Sequence, residues 1–129
     1  MKKLSIVYHS QSKTTAKLAN YVYSGSKKEA DVSVDLILAS DANAETLLSS
    51  DGIIFGTPEN FGYMSGVLKD FFDRTFYQVE DKQLNIPYCI FVSAGNDGQG
   101  AVSSIDRIVK GYPLNKIAEP LIISAKDIE

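Results

Sequence analysis

The sequence predicts an α/β protein: a parallel sheet of five strands, with helices on both faces to make three layers. Three observations lead there. Short apolar runs alternate with segments of helical periodicity along the whole chain, the pattern of a parallel sheet joined by crossover helices. Three of the strand-like runs lead directly into loops dense in hydroxyls or glycine, which in such a sheet lie along one rim. A length of 129 residues, 44% hydrophobic and 22% charged, suits one core and one domain spanning residues 1–129.

Each element has a local reason. Leu4-Ser5-Ile6-Val7-Tyr8 is the first strand, and the hydroxyl-rich stretch His9 to Thr15 follows it. From Thr15, the residues Leu18, Ala19, Val22 and Tyr23 mark one face of a helix that ends near Gly25. Val32, Val34, Leu36 and Leu38 alternate with more polar neighbours, which suggests a strand near the sheet edge. Asp41 or Asn43 can cap a short helix carrying Leu47 and Leu48. Gly52-Ile53-Ile54-Phe55 is a continuous apolar run, as in a strand covered on both faces. After the loop that follows it, Met64, Val67, Leu68, Phe71, Phe72, Thr75 and Phe76 recur at three- and four-residue spacing. They predict a helix starting near Tyr63 or Ser65, with Lys69, Asp70, Asp73 and Arg74 on its solvated side. Ile86 to Ser93 is the next strand, and Ala94 to Gly100 a second glycine-rich loop. Val102, Ile105, Ile108 and Val109 stripe the helix after it, which Gly111 and Pro113 close. Ile117 to Ser124, interrupted by Pro120, is the last strand, and only Ala125 to Glu129 follow.

Composition narrows the function. A net charge of −3 with no Lys/Arg cluster argues against nucleic-acid binding. No apolar stretch approaches the length of a membrane span, and the one after Met1-Lys2-Lys3 is too short for a signal sequence, so the cytoplasm is the expected location. Cys89 is the single cysteine, has no intrachain disulfide partner, and reads as a small core hydrophobe. His9, the only histidine, is tied by no metal-ligand spacing to other residues and reads as a polar neighbour of the first loop. No metal ligand and no catalytic side chain is assigned.

In an open parallel sheet, ligands bind at the rim where the strand order reverses, and if the order is 2-1-3-4-5 the loops after the first and third strands lie side by side there. Ser10-Gln11-Ser12-Lys13-Thr14-Thr15 leads into a helix N-terminus, whose free N–H groups and dipole attract anions. It has neither the Gly-x-x-x-x-Gly-Lys-Ser/Thr nor the Gly-x-Gly-x-x-Gly pattern, so a hydroxyl-lined monophosphate site is one reading and simple helix capping the other. In the loop after the third strand, Pro58 fixes a backbone angle, Gly56 and Gly62 permit conformations closed to other residues, and Phe61 and Tyr63 offer flat apolar surfaces.

Ile6-Val7-Tyr8-His9-Ser10-Gln11-Ser12-Lys13-Thr14-Thr15, with Ala19 and Val22, resembles the FMN-phosphate signature of the flavodoxin-like family. Thr57-Pro58-Glu59-Asn60-Phe61-Gly62-Tyr63-Met64-Ser65-Gly66 and Phe71-Phe72-Asp73-Arg74-Thr75 resemble the flavin loop and helix of its NAD(P)H-dependent FMN reductase and WrbA-type quinone oxidoreductase branch. Ser93-Ala94-Gly95-Asn96-Asp97-Gly98 falls where that branch has its third flavin loop. The resemblance implies a flavodoxin-like three-layer sandwich with FMN as cofactor. It places the phosphate at Ser10, Gln11, Ser12, Lys13, Thr14 and Thr15. The ring system would lie against Thr57, Pro58, Glu59, Asn60, Phe61 and Gly62 and against Ala94, Gly95, Asn96, Asp97 and Gly98. It further implies a reductase that takes electrons from reduced nicotinamide and passes them to a quinone or another small acceptor.

Two departures from the family pattern stand out. Lys13 occupies a place usually held by a small residue, and the helix that commonly follows the fifth strand is short or absent, which would leave apolar sheet surface uncovered and favours a homodimer. Three other functions compete. A flavodoxin-type electron carrier shares the cofactor, and a flavin-free interaction protein shares only the fold. A receiver domain would need acidic residues where His9-Ser10 and Gly56-Thr57 stand, and a phosphatase would need a cysteine early in its phosphate loop rather than at Cys89.

Overall fold

The computed structural model describes residues 1–128. Strands β1 (Lys2–Tyr8), β2 (Val32–Leu38), β3 (Gly52–Pro58), β4 (Pro87–Ala94), β5 (Asn115–Lys116) and β6 (Leu121–Ser124) form one sheet, all neighbours parallel. The order is β2-β1-β3-β4, with β5 and β6 both pairing with β4 in the fifth position. Helices α1 (Lys13–Ser26), α2 (Ala44–Leu48), α3 (Gly66–Val79), α4 (Gln99–Val109) and α5 (Ala125–Ile128) make the outer layers. Strand order, parallel pairing and the short last helix are as the sequence leads one to expect.

The last strand needs correction. Ile117 to Ser124 is not one strand, because Ile117, itself exposed, makes the last bond of β5 to the Tyr88 carbonyl of β4 and residues 118–120 lie outside both β5 and β6. Pro120 has no N–H to give to a ladder, which accounts for the break. The third strand runs longer than its apolar stretch, through Gly56 and Thr57 to Pro58, so the loop proper begins at Glu59.

The two faces differ in cover. On one, Val7, Ile53, Phe55, Ile90 and Val92 are buried under α2, α3 and α4. An aromatic cluster fixes this layer: Phe55 lies 5.1 Å from Phe72, Phe72 is 5.5 Å from Phe71, and Tyr112 is 5.7 Å from Phe72 between ring centroids. On the other face Ile6 and Phe91 are buried beneath Leu18 and Ala19 of α1 and Ile128 of α5. There Leu4, Ile54, Pro87, Cys89 and Ile123 stay half-buried and Leu121 is exposed.

Candidate functional site

Parallel pairing sets the C-terminal ends of β1, β3 and β4 along one rim, with Tyr8 beside Gly56 and Pro58 beside Ser93. Three loops leave that rim together. The His9 N–H donates to the Gly56 carbonyl at 3.1 Å, and the Asn60 side-chain amide donates to the Gln11 side chain. The Glu59 N–H donates to the Ser93 carbonyl at 3.0 Å. Its carboxylate accepts from the N–H groups of Gly98 and Gly100, both at 3.2 Å. Gly98 opens α4 with a left-handed φ of 72° and no side-chain cap, so Glu59 caps this helix from across the site. The carboxylate is therefore spent on the third loop.

The first loop folds on itself. Ser10 Oγ accepts from the Ala16 N–H at 2.9 Å and donates to the Ser12 carbonyl, while Ser12 Oγ accepts from Thr14 N–H at 3.4 Å. Among the described residues, the backbone N–H groups of Gln11, Ser12, Lys13 and Thr15 meet no acceptor. Lys13 is the exposed first residue of α1 and has no positive φ, so its side chain strains nothing there. His9 is half-buried, and burial lowers its imidazole below the ordinary pKa.

The second loop is a tight hairpin in which Asn60 and Tyr63 exchange backbone hydrogen bonds of 2.9 and 3.0 Å. Phe61 and Gly62 at its tip have φ of 54° and 70°. A bulky residue with positive φ is uncommon, and here it puts the Phe61 ring wholly in solvent at the mouth of the site. In the third loop Gly95, Asn96 and Asp97 are exposed, and Asp97 accepts from the Gln99 N–H at 3.0 Å. The N–H groups of Phe61, Gly62, Gly95, Asn96 and Asp97 likewise have no acceptor among the described residues.

Some of the sequence candidates lie inside the protein rather than at its surface. Thr15 is buried, its hydroxyl 2.6 Å from that of Ser93. Thr57 is buried, donating to the Pro58 carbonyl and accepting from the Ser65 N–H. Ala94 is buried, and Gly98 packs so closely that a Cβ would lie 2.6 Å from Ile122. These four brace the loops. Ser10, Gln11, Ser12, Lys13, Thr14, Pro58, Glu59, Asn60, Phe61, Gly62, Gly95, Asn96 and Asp97 retain surface at the rim. Sequence reasoning missed Gly100, where a Cβ would meet the Gly62 carbonyl oxygen at 2.0 Å, so that only glycine lets the hairpin seat on α4. Its signal was the last glycine of the loop, read there only as part of the run.

The donor set fits FMN. Unpaired backbone N–H groups and hydroxyls at the α1 end suit a phosphate, and those of the second and third loops suit the acceptor-rich edge of a flavin ring. No group of three or more His, Cys, Asp or Glu residues that could hold a metal is found among the described residues. No described helix is long and apolar enough to cross a membrane.

Comparison with known proteins agrees with this geometry. The chain is 30% identical over 100 residues to a flavodoxin of Aquifex aeolicus, a match covering 78% of this chain and 54% of that protein. It is 31% identical over 119 residues to the quinone-oxidoreductase QR2 of Triphysaria versicolor, covering 76% of this chain and 58% of that one. The chain therefore spans little more than half the length of these relatives. Among solved structures, two-electron reduced Megasphaera elsdenii flavodoxin superposes with a TM-score of 0.78 at 20% identity, over 95% of this chain and 85% of that one, a likeness of fold. The family model described as NADPH-dependent FMN reductase matches residues 41–109, from the turn after β2 through the second and third loops to the end of α4. That match takes in more than half of the sequence, and the chain belongs to the NADPH-dependent FMN reductase family, whose cofactor is FMN.

Proposed function

We propose that this chain is an FMN-dependent oxidoreductase that takes electrons from reduced nicotinamide and delivers them to a quinone or another small acceptor. The observation that carries this reading is the joining of three loops at one rim by His9, Glu59 and Asn60, with unpaired N–H donors on each of the three. Ser12 and Thr14, with the amides at the start of α1, would bind the phosphate, and the exposed Lys13 would add positive charge. The amides of the hairpin and of Gly95 to Asp97 would orient the ring edge, and Phe61 would cover part of it from water. Bound there, FMN supplies the hydride and electron chemistry, so the protein's contribution is position and electrostatics.

Mixing the FMN-loaded protein anaerobically with NADPH or NADH tests this. Rapid bleaching of the flavin, reversed by a quinone, is expected. The similarity to the Aquifex flavodoxin favours a second reading, an electron carrier, in which no bleaching follows until a separate reductase is added. The half-buried strip of Leu4, Ile54, Pro87, Cys89 and Ile123 supports a homodimer that covers it. Light scattering should then give twice the 14.1 kDa chain mass, and a monomer would remove that part of the reading.

A further inference from the structure

Beside α1, one face of the sheet is left as a bare apolar strip. Parallel register sets Leu4 next to Gly52, and Pro87 closes in from the other side, so that a Cβ on Gly52 would lie 3.7 Å from each. The next row holds Ile54 and Cys89, and Ile117 continues it, one residue past the Lys116–Tyr88 pair. Toward the rim, Leu121 lies beside Phe91 and Ile123 beside Ser93. Ile117 is 68% exposed and Leu121 45%, while Leu4, Ile54, Pro87, Cys89 and Ile123 are half-buried. No side chain in the strip is charged at neutral pH, since burial pushes the Cys89 thiol up. Such a surface can meet its own copy without opposing like charges.

Shape decides how two strips could meet. On one side of the strip stands α1, about 10 Å across with its side chains, and on the other the sheet ends at β5 and β6. Sheets stack about 10 Å apart, so each α1 must find room beside the opposing sheet. A two-fold axis across the strands would set α1 on α1 and hold the strips apart. An axis along the strands instead carries each α1 past the partner's β5–β6 edge, where the sheet has ended. Because α5 packs on α1 at the rim end, the contact centres on the rows of Pro87 and Cys89. Charge agrees with this arrangement. Lys17 shares a groove with Ile128 of α5, which puts it and the exposed Tyr21, one turn on, on the flank of α1 turned to the strip. The same axis lays that flank along the partner's β5–β6 connection, where Glu119 is exposed and has no ion-pair partner among the described residues.

We propose that two copies of this chain stack strip on strip about an axis parallel to the strands, with Cys89 facing Cys89 and both cofactor mouths at the same end of the dimer. This arrangement rests on the homodimer reading and gives it an interface and a direction.

Light scattering, thiol titration and spin-label distances on the full chain test it. The wild-type protein should have twice the 14.1 kDa chain mass. Ile117→Asp, which puts a charge in the contact, should give the single mass with unchanged circular dichroism. Cys89 should then react with a soluble disulfide reagent severalfold faster in that variant than in the wild type. Direction is read from Cys89→Ser protein labelled at Lys126→Cys, an exposed position beyond Ile123 at the rim end. With both mouths at one end, the two labels should stand within about 25 Å of each other. Mouths at opposite ends would carry them beyond that, because Ile123 already lies four residues, about 13 Å, further along the strands than Cys89. A dimer that survives Ile117→Asp, a Cys89 equally reactive in both proteins, or labels beyond that distance would overturn the arrangement while leaving a homodimer. A monomeric wild type would remove both, and no outcome depends on whether flavin is bound.

Discussion

Gly100 is the residue on which the site's shape turns most sharply. Its missing side chain leaves room for the Gly62 carbonyl, and Gly62 itself sits at positive φ, so the hairpin and α4 meet backbone to backbone. Gly100→Ala should displace the hairpin and weaken FMN binding by about tenfold or more while the core remains folded, as read by flavin fluorescence titration beside thermal melting. Tyr112 makes a different prediction. Its hydroxyl donates to the Phe72 carbonyl at 2.7 Å and lies 3.0 Å from Thr75 Oγ1, and burial pushes its pKa up from 10.0 to about 12. The unfolded chain loses that proton first, so stability is intact below pH 10 and falls as pH climbs toward about 12. Tyr112→Phe should flatten part of this loss in urea titrations across the window while costing about 1 kcal/mol at neutral pH. Part of the slope should persist through Tyr88, whose pKa is also raised, by desolvation and by the neighbouring Asp106. Neither residue's role was legible in the sequence, because Gly100–Gly62 and Tyr112–Phe72 are contacts between distant parts of the chain. Phe61 hid for another reason: nothing in a bulky aromatic announces a left-handed backbone.

Elements were more legible than residues. Periodicity predicted α3 and α4 with their buried faces, and Leu68, Phe71, Phe72, Val102 and Ile105 are all buried. Of the two caps offered for α2, Asn43 is the one used, in a reciprocal pair with Thr46. Arg74 exceeds what its place on a solvated helix face suggested. Besides its 2.7 Å pair with Asp70, it donates to the Ala42 and Ala39 carbonyls at 3.0 and 2.9 Å, tying α3 to the turn after β2. Arg74→Ala should therefore cost about 1–3 kcal/mol by leaving two carbonyls without their charged donor. Asp70→Asn, which spares those carbonyls and weakens only an exposed pair, should cost under about 1 kcal/mol. Urea midpoints of the two variants decide between a structural clamp and a solvated charge. The broken fifth strand was legible only as a warning: Pro120 marked the interruption, but that the chain leaves the sheet for residues 118–120 depends on what β4 can pair with.

For the whole molecule, a parallel sheet in the order β2-β1-β3-β4 brings three separately encoded loops to one rim, and hydrogen bonds between them make one site. The alternation of elements made that rim predictable. How Glu59 would spend its charge was not, since its partners lie 39 and 41 residues away. The claim on which the rest depends is that the loops together hold one flavin. Fluorescence titration of FMN with the purified protein tests it most directly. The account predicts saturable quenching at one FMN per chain, weakened by Gly100→Ala and by Glu59→Gln, which loosens the third loop. FMN that stays fully fluorescent at protein excess, or quenching indifferent to both substitutions, would contradict it.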